Sequence, residues 1–318
     1  MGSFDIAKTV NMPFLGDNLG AVEAKLATVI PTGGPLRAPI KRVVESPSKR
    51  LRSALVLAAA NSSKSIDEKV VRACTAIELL HLGSLVHDDI MDKSETRWNG
   101  PTVYAEEGVN TAILVGDYLF AKANLLASSI SQEVAEIIAT TIINLCEGQA
   151  TELADTGNLR RTIDNYHKAI AGKTGSLLAA ACTVGGLCGG VNKQTAVALG
   201  SFGESFGVAY QLLDDVLDII STEALLGKPV GTDLKEGIYT MPALLTVQDN
   251  PKLTPDKINP ELLVQSGSVK KTVELSKQYN QKARTALKNT EYSALSELPD
   301  KYFEWAMKNY LENNLSVG

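Results

Sequence analysis

The chain of 318 residues has few aromatic residues, few cysteines and no excess of positive charge. Aromatic residues make up only 5% of it, and alanine, leucine and valine dominate, which favours helix packing over an all-β core. The formal net charge of -5 argues against nucleic acid as the main partner, because binding its phosphates needs a basic face. Phosphate chemistry in this chain therefore needs local positive charge or a metal ion.

The four cysteines do not suggest a zinc site. Cys74, Cys146, Cys182 and Cys188 lie in apolar runs without the paired spacing of zinc ligands, so we expect reduced thiols in the core. The longest apolar stretch, from residue 176 to 191, contains several glycines and is short for a membrane span. No secretory signal is recognisable, so we expect a cytoplasmic protein that contacts membranes at most transiently.

Long runs with an apolar period near 3.6 residues predict an all-α fold. No series of alternating strands, no linker-like change in composition and no repeat of fixed period appears. We expect one all-α domain over residues 1–318, in which residues 250–318 are the candidate for a looser helical appendage. The clearest helical runs are 70–92, 111–129, 132–153, 163–182 and 194–220.

The first acidic motif is Asp88-Asp89-Ile90-Met91-Asp92, which ends an apolar helical run. Residues four apart share a helix face, so Asp88 and Asp92 project together with Asp89 beside them. A cation would remove the repulsion between these carboxylates, and magnesium is usually held by one or two carboxylates plus substrate phosphates. The alternative is a solvated acidic helix end, which fits poorly because negative charge is unfavourable at a helix C-terminus.

A second motif, Asp214-Asp215-Val216-Leu217-Asp218, has the same spacing and also ends a largely apolar helix. Two independent occurrences of this pattern are improbable by chance. If the two boxes face each other across a cavity, they can clamp a diphosphate through several magnesium ions. This arrangement suits a substrate whose leaving group is diphosphate, because metal ions offset the charge that develops on the departing oxygens.

Basic residues accompany the two aspartate boxes. Singly, each is more often a solvated surface charge. Together they supply the fixed cations and forked donors that a second, metal-free phosphate site needs. They are Lys49, Arg50 and Arg52 at the start of an apolar helix, Arg97 after the first box, Lys173 in an apolar helix and Lys228 in a glycine-rich loop.

The order of these motifs resembles that of the trans-type isoprenyl diphosphate synthases from about residue 36 to 245. The matching pieces are Lys-Arg-Leu-Arg at 49–52, Glu-Leu-Leu-His with the first box at 78–92, Thr-Arg at 96–97, Gly-Asp-Tyr-Leu-Phe-Ala at 116–121, Lys-Thr-Gly at 173–175, Tyr-Gln-Leu-Leu with the second box at 210–218, and Gly-Lys-Pro-Val-Gly-Thr-Asp-Leu at 227–234. The resemblance implies a single large helical bundle around a central cavity, usually in a homodimer.

The resemblance also implies a reaction. The allylic diphosphate ionises, the double bond of isopentenyl diphosphate attacks the cation, and a proton is lost, with inorganic diphosphate as the base. Magnesium is the implied cofactor, in roughly three ions with the bound diphosphate.

Residue roles follow from the matching positions. Asp88, Asp92 and Asp214 would bind magnesium, and Asp89, Asp215 and Asp218 would support them through water or neighbouring contacts. Lys173, Thr174 and Gln211 are the candidate catalytic residues, the last two near the developing allylic cation. Arg97, Lys173 and Lys228 would hold the allylic diphosphate. Lys49, Arg52 and His81 would hold isopentenyl diphosphate; without the resemblance, His81 would be taken for a core or capping histidine.

Three departures from the family pattern remove positive charge near the isopentenyl site. Trp98 stands where members usually carry a second arginine, Ile238 stands where a lysine is common, and the C-terminal segment after Tyr310 lacks arginine. We expect weakened isopentenyl diphosphate binding, or compensation by another basic residue such as Arg50 or Lys49.

Gly83 and Ser84, five and four residues before the first box, bear on product length. Relatives with bulky aromatic residues at these positions make short products. Both residues here are small and provide no floor beneath the growing chain, so we expect a product of twenty carbons or more. The alternative is that Gly83 merely permits close helix packing.

Two other functions stay open. A class I terpene cyclase shares the fold and the first box, but it normally replaces the second box with an Asn/Ser/Glu-type site and does not need the basic cluster. A noncatalytic subunit of a heteromeric prenyl synthase tends to lose one or both boxes, and the missing arginine keeps that option open.

Overall fold

The structure is a computed structural model that describes residues 14–47, 50–61, 66–98, 100–221 and 231–311. Most of these residues are helical and very few are in strands, which confirms the all-α prediction. Within the described ranges, the strands form one short antiparallel hairpin, β1 (Thr96–Arg97) and β2 (Gly100–Pro101).

The helices follow one another with short connections. Up to the second aspartate box they are α1 (Phe14–Ala27), α2 (Arg37–Val44), α3 (Leu51–Ala59), α4 (Glu68–Met91), α5 (Val103–Ser128), α6 (Gln132–Ala154), α7 (Ile163–Ile170), a π turn (Ala171–Gly175), α8 (Ser176–Gly189) and α9 (Lys193–Ile220). Then come α10 (Thr232–Lys235), α11 (Met241–Asp249), a 3-10 turn (Pro255–Lys257), α12 (Pro260–Gln265), α13 (Ser268–Ala286), α14 (Ser293–Ser296), α15 (Leu298–Ala306) and a final π turn (Met307–Leu311).

The five predicted helical runs are confirmed, with two differences. Helix α5 begins at Val103 because the Thr102 hydroxyl caps it by accepting from the Ala105 amide at 3.0 Å. The helical backbone of α5 is interrupted at Gly108, whose φ of 82° is a conformation that glycine adopts readily. The run predicted over 163–182 is divided by the π turn between α7 and α8.

The described residues divide into two compact units. The first unit comprises the described part of Asp5–Ile143 together with Ala180–Gly200. The second unit comprises Asn144–Ala179 and the described part of Ser201–Gly318. The first aspartate box belongs to the first unit and the second box to the second. The single-domain organisation stays a prediction.

Apolar side chains from α7, α9, α11 and α13 form the core of the second unit. Helices after residue 250 contribute to it, so they are attached to this unit through buried apolar contacts. The core includes Tyr166, Leu212, Val216, Met241, Leu244, Leu263, Val269, Val273 and Ala306.

Three of the four cysteines are buried thiols, as expected. Cys74, Cys182 and Cys188 are buried and unpaired. Cys146 is exposed on α6, so the prediction of a core thiol is wrong for this residue.

Two helical stretches are long and apolar enough to cross a membrane by length and composition. They are Glu68–Met91 and Ile163–Gly189, and 72% and 56% of their most apolar segments are buried inside the protein. Core helices pass the same test, so these stretches are weak evidence for a membrane span.

Candidate active site

The first aspartate box occupies the C-terminal turn of α4. Asp88 is partly exposed and Asp92, which follows the helix, is exposed, while only 4% of Asp89 is exposed. The Arg97 guanidinium donates to Asp89 Oδ1 from Nε at 2.9 Å and lies 2.8 Å from it through Nη2. Burial raises the pKa of Asp89, although the Arg97 charge opposes the shift. The pair therefore ties the hairpin to α4 and leaves Asp88 and Asp92 as the accessible carboxylates of the box.

The hairpin after the box sets the position of Arg97. The Thr102 hydroxyl donates to the Ser94 carbonyl at 2.7 Å, which holds the two ends of the segment together. Trp98 forms the turn with a φ of 51°, and its half-exposed ring lies 5.9 Å from Arg97 Cζ. The residue in the usual place of a second arginine therefore contacts the first one.

His81 lies two turns before Asp88 on the same face of α4. Burial lowers its pKa well below the ordinary value, and the positive charges of Arg52, Arg97 and Arg50 lower it further. The predicted ligands Arg52, His81 and Arg97 are thus brought together, with a neutral imidazole among guanidinium groups. Two other predicted ligands, Lys49 and Lys228, lie outside the described residues.

Arg50 has a structural role. Only 5% of its side chain is exposed, and it contacts Glu23 Oε1 and Oε2 at 2.6 and 3.1 Å and the Val44 carbonyl at 2.9 Å. Its Nη1 also lies 3.6 Å from Glu78, whose side chain is fully buried and accepts from the Ser53 amide at 3.0 Å. These contacts give Arg50 a structural role in the protein interior, and compensation for Trp98 by Arg50 stays a prediction.

A cavity of about 320 Å³ opens beside Asp89 in the first unit. Aliphatic and charged side chains both form its wall. Trp98 belongs to this wall, so the departure from the family pattern replaces a cation with an aromatic ring there. The lining includes Arg42, Val43, Leu82, Asp89, Arg97 and Trp98.

The second aspartate box lies near the end of α9. Asp215 is 2% and Asp218 3% exposed, whereas Asp214 is partly exposed. Asp215 accepts from the Tyr166 hydroxyl and from Gln211 Nε2, the latter at 3.1 Å, and burial raises its pKa to about 7. Asp218 Oδ2 accepts from the Asp233 amide at 3.4 Å. The side chain of Asp214 is therefore the most accessible of the three.

Lys173 and Thr174 lie in the π turn between α7 and α8. This turn packs so closely on α6 that a Cβ atom on Gly148 would lie 2.8 Å from the Lys173 amide nitrogen, and one on Gly172 would lie 2.7 Å from the Asn144 carbonyl oxygen. A π turn inserts a residue into a helix and is frequent at functional sites. The apolar, glycine-containing sequence around Lys173 does not distinguish it from continuous α-helix, and so the turn was not predicted.

The structure brings the predicted catalytic residues Thr174 and Gln211 together. The Thr174 hydroxyl donates to Gln211 Oε1 at 2.9 Å. Close packing between Gly175 and Gly207 permits this contact, because a Cβ atom on Gly207 would lie 2.7 Å from Gly175 Cα. The Lys173 ammonium group forms an ion pair with Glu152, and both side chains are partly buried.

Sequence reasoning missed three partners of the site residues: Tyr166, Glu152 and Glu78. Tyr166 contacts Asp215, Glu152 contacts Lys173 and Glu78 contacts Arg50, and each partner lies 21 or more positions away in the chain. No local spacing signals such pairs. Tyr166 resembles an ordinary core residue of an apolar helix in the sequence.

Gly83 faces α5. A Cβ atom on Gly83 would lie 2.9 Å from Phe120 Cε1 and 3.3 Å from the Gly116 carbonyl oxygen. The Ser84 hydroxyl donates to the His81 carbonyl at 2.9 Å. This geometry favours close helix packing as the reason for Gly83, and a role of either residue in product length stays a prediction.

The accessible carboxylates fit magnesium bound together with substrate. Among the described residues, no group of three or more His, Cys, Asp or Glu side chains is placed to hold a metal ion by itself. Magnesium commonly takes one or two carboxylates and completes its coordination with phosphate oxygens and water. Asp88 and Asp92, one turn apart on α4, provide such a partial ligand set.

Comparison with known proteins places this geometry in a family. The Polyprenyl synthetase family profile matches residues 34–276. The heptaprenyl diphosphate synthase component 2 of Geobacillus stearothermophilus is 34% identical over 238 residues, 74% of each chain. The geranylgeranyl pyrophosphate synthetase structure from Pyrococcus horikoshii is 33% identical, with a TM-score of 0.82 over 92% of this chain and 97% of that one.

A third relative was solved with ligands. The polyprenyl synthase structure from Caulobacter crescentus, complexed with calcium and isoprenyl diphosphate, is 27% identical and has a TM-score of 0.83. That match covers 95% of this chain and 98% of that one. The family match over most of the chain, the all-α fold and the two aspartate boxes agree: the chain belongs to the polyprenyl synthetase family and is a prenyltransferase of isoprenoid metabolism.

Proposed function

We propose that this chain condenses isopentenyl diphosphate with an allylic prenyl diphosphate to give an all-trans polyprenyl diphosphate. The grouping of Arg52, Arg97 and His81 beside the first aspartate box carries the proposal. This grouping supplies the fixed positive charge that a diphosphate needs, next to carboxylates that suit a magnesium ion. A synthase requires both kinds of site, because it binds two diphosphate substrates.

The residues around the second box suit the cation that forms when the allylic diphosphate ionises. The Thr174 hydroxyl and the Gln211 amide form a hydrogen-bonded pair beside Asp215. Fixed oxygen dipoles of this kind stabilise a developing positive charge without reorganising. Lys173 would exchange its partner Glu152 for the allylic diphosphate, and Arg97 would bind the same diphosphate while it stays paired with Asp89.

Magnesium would be held by Asp88, Asp92 and Asp214, the accessible carboxylates of the two boxes. When bound, it offsets the negative charge that develops on the departing diphosphate oxygen. The buried carboxylates Asp89, Asp215 and Asp218 are already hydrogen-bonded within the protein, so their role is to orient their neighbours. We propose about three magnesium ions, and oxygen atoms of the diphosphate and of water would fill their remaining coordination positions.

We propose a product of twenty carbons or more. The relatives include a heptaprenyl and a geranylgeranyl synthase. Both names agree with a product of twenty carbons or more, but they do not select one product length. Ser84 and Gly83 place no bulky side chain one turn before the first box. Because Gly83 of α4 lies against Phe120 of α5, we propose that side chains of both helices influence the length of the product.

A heteromeric enzyme is the second candidate. One relative is named component 2 of a heptaprenyl synthase, so we consider a partner subunit as the alternative to a homodimer of this chain. Trp98, in place of a substrate-binding arginine, points the same way. A class I terpene cyclase is the third candidate, but it has no use for the second aspartate box.

One incubation separates the three. The purified chain is supplied with magnesium, isopentenyl diphosphate and allylic primers of ten, fifteen and twenty carbons, and the products are dephosphorylated and analysed by mass spectrometry. Longer linear prenols support the synthase and give the product length. Cyclic hydrocarbon from a primer alone indicates a cyclase, and no turnover by the isolated chain indicates a subunit.

A further inference from the structure

A chain of hydrogen-bonded side chains in the second unit begins outside the predicted site and ends within it. Its outer end is Tyr166 on α7, of which 2% is exposed. The Tyr166 hydroxyl donates to Asp215 Oδ2, and Gln211 Nε2 donates to Asp215 Oδ1 at 3.1 Å. The Thr174 hydroxyl donates to Gln211 Oε1 at 2.9 Å. A buried tyrosine is thereby linked to both residues that we place near the allylic cation.

Each link in this chain fixes the direction of the next. Asp215 accepts from the Tyr166 hydroxyl through Oδ2 and from the Gln211 amide nitrogen, which can only donate, through Oδ1. Gln211 then presents its amide oxygen to Thr174, and the Thr174 hydroxyl must donate to that oxygen. The lone pairs of the Thr174 oxygen consequently remain for another group. If the Gln211 amide turned over, Thr174 would have to accept, and its hydrogen would point outward.

The direction of the Thr174 hydroxyl matters for the reaction. Lone pairs near an electron-poor carbon lower the energy of the cation, whereas a hydroxyl hydrogen raises it. The difference acts in the transition state and not on the bound substrate, because positive charge on the carbon appears only as the allylic diphosphate leaves.

The surroundings of Tyr166 hold its ring in one orientation. The Arg161 guanidinium lies 5.6 Å from the centre of the ring, and its own side chain is 2% exposed and 3.5 Å from Asp155. The His167 ring packs edge-on against Tyr166 at 5.7 Å between centroids. The contacts of the Tyr166 ring with Arg161 and His167 keep its hydroxyl directed at Asp215 without any substrate present.

We propose that Tyr166 is a positioning residue for the allylic cation. Tyr166 holds Asp215, and Asp215 holds the Gln211 amide in one orientation. The Gln211 amide in turn directs the lone pairs of Thr174 at the reacting carbon. This inference rests on the proposed function, because it takes Thr174 and Gln211 as neighbours of the cation. Tyr166 itself does not contact the substrate.

Tyr166→Phe tests the inference, because it removes the hydroxyl and keeps the ring. We expect kcat to fall about tenfold, the effect of losing one aligned dipole in the transition state. The KM values of both substrates and the half-saturating magnesium concentration should change less than about twofold. The Kd of an unreactive thiolo analogue of the allylic diphosphate, measured by calorimetry, should also stay within about twofold.

Tyr292→Phe is the matched control, because Tyr292 is a comparably buried tyrosine of the same unit, with 3% exposed. It should leave kcat unchanged. An unchanged kcat in Tyr166→Phe would overturn the positioning role. A proportional weakening of analogue binding would overturn it in favour of substrate binding, and a large shift in magnesium dependence in favour of metal binding.

A double-mutant cycle asks whether Tyr166 acts through Thr174. Thr174→Val removes the oxygen, so adding Tyr166→Phe should then lower kcat less than about twofold further. Additive losses would contradict the proposed linkage. If Tyr166→Phe does not fold, Asp215→Asn serves instead. Tyr166 and Gln211 donate to different oxygens of Asp215, and asparagine keeps only one of them. An unchanged kcat in Asp215→Asn would also overturn the positioning role of Tyr166. No turnover by the unaltered chain would refute the proposed function, whereas normal turnover with a fully active Tyr166→Phe would refute only the role of Tyr166.

Discussion

Replacing Arg50 with methionine tests whether this residue of the basic cluster supports the fold or the substrate. Methionine keeps the apolar stem and removes the guanidinium, which contacts Glu23, the Val44 carbonyl and the fully buried Glu78. The pair with Glu23 is worth less than about 1 kcal/mol, because 49% of the Glu23 side chain is exposed. The larger loss comes from Glu78, whose fully buried carboxyl group would lose its contact with the guanidinium.

Removing one partner of a buried ion pair costs about 3–5 kcal/mol, so we expect the free energy of unfolding to fall by that amount in Arg50→Met. Urea titration followed by circular dichroism measures it. Adding Glu78→Gln should restore part of the loss, because no buried charge is then left unpaired. Arg72→Met, which breaks an exposed pair with Glu68, is the control and should cost less than about 1 kcal/mol.

The KM for isopentenyl diphosphate should stay the same in Arg50→Met once the variant is assayed below its unfolding transition. A loss of stability no larger than in Arg72→Met would refute the structural role. So would a raised KM with unchanged stability, because it would make Arg50 a substrate ligand.

Three further substitutions test other parts of the site. Gly83→Ala should lower the free energy of unfolding by about 1–3 kcal/mol, because the added methyl group meets the Phe120 ring, and a neutral effect would contradict the packing role. The lowered pKa of His81 means that the unfolded chain takes up a proton below about pH 6.5 that the folded chain does not, so His81 favours folding above that pH and this contribution is lost as the pH falls. The free energy of unfolding should therefore fall less steeply from about pH 7 to about pH 5 in His81→Gln than in the unaltered chain, and equal slopes would contradict the pKa shift. Trp98→Arg should lower the KM for isopentenyl diphosphate, and an unchanged KM would contradict the prediction that Trp98 weakens the binding of this substrate.

The helices and the candidate ligands were predictable where the information is local. The apolar period located α4 and α9, and the spacing of the aspartates placed Asp88 and Asp92 one turn apart on a shared face. Helical geometry alone fixes which residues share a face, so these features follow from sequence.

What the sequence did not predict depends on contacts between distant segments. The π turn around Lys173 packs closely against Gly148 of α6, a contact that no local pattern reveals. Arg50 reads as one member of a basic cluster, yet the buried Glu78 makes it a structural residue. The partner of Gly83 is likewise visible only after α4 and α5 are packed.

The rate of isopentenyl diphosphate incorporation by Asp214→Asn tests whether both aspartate boxes serve the condensation. Asp214 is the most accessible carboxylate of the second box, the motif that separates a synthase from a cyclase. We expect a rate at least about a hundredfold below that of the unaltered chain, with the same circular dichroism spectrum and melting temperature. A rate within about tenfold of the unaltered chain would contradict the claim that both aspartate boxes serve the condensation.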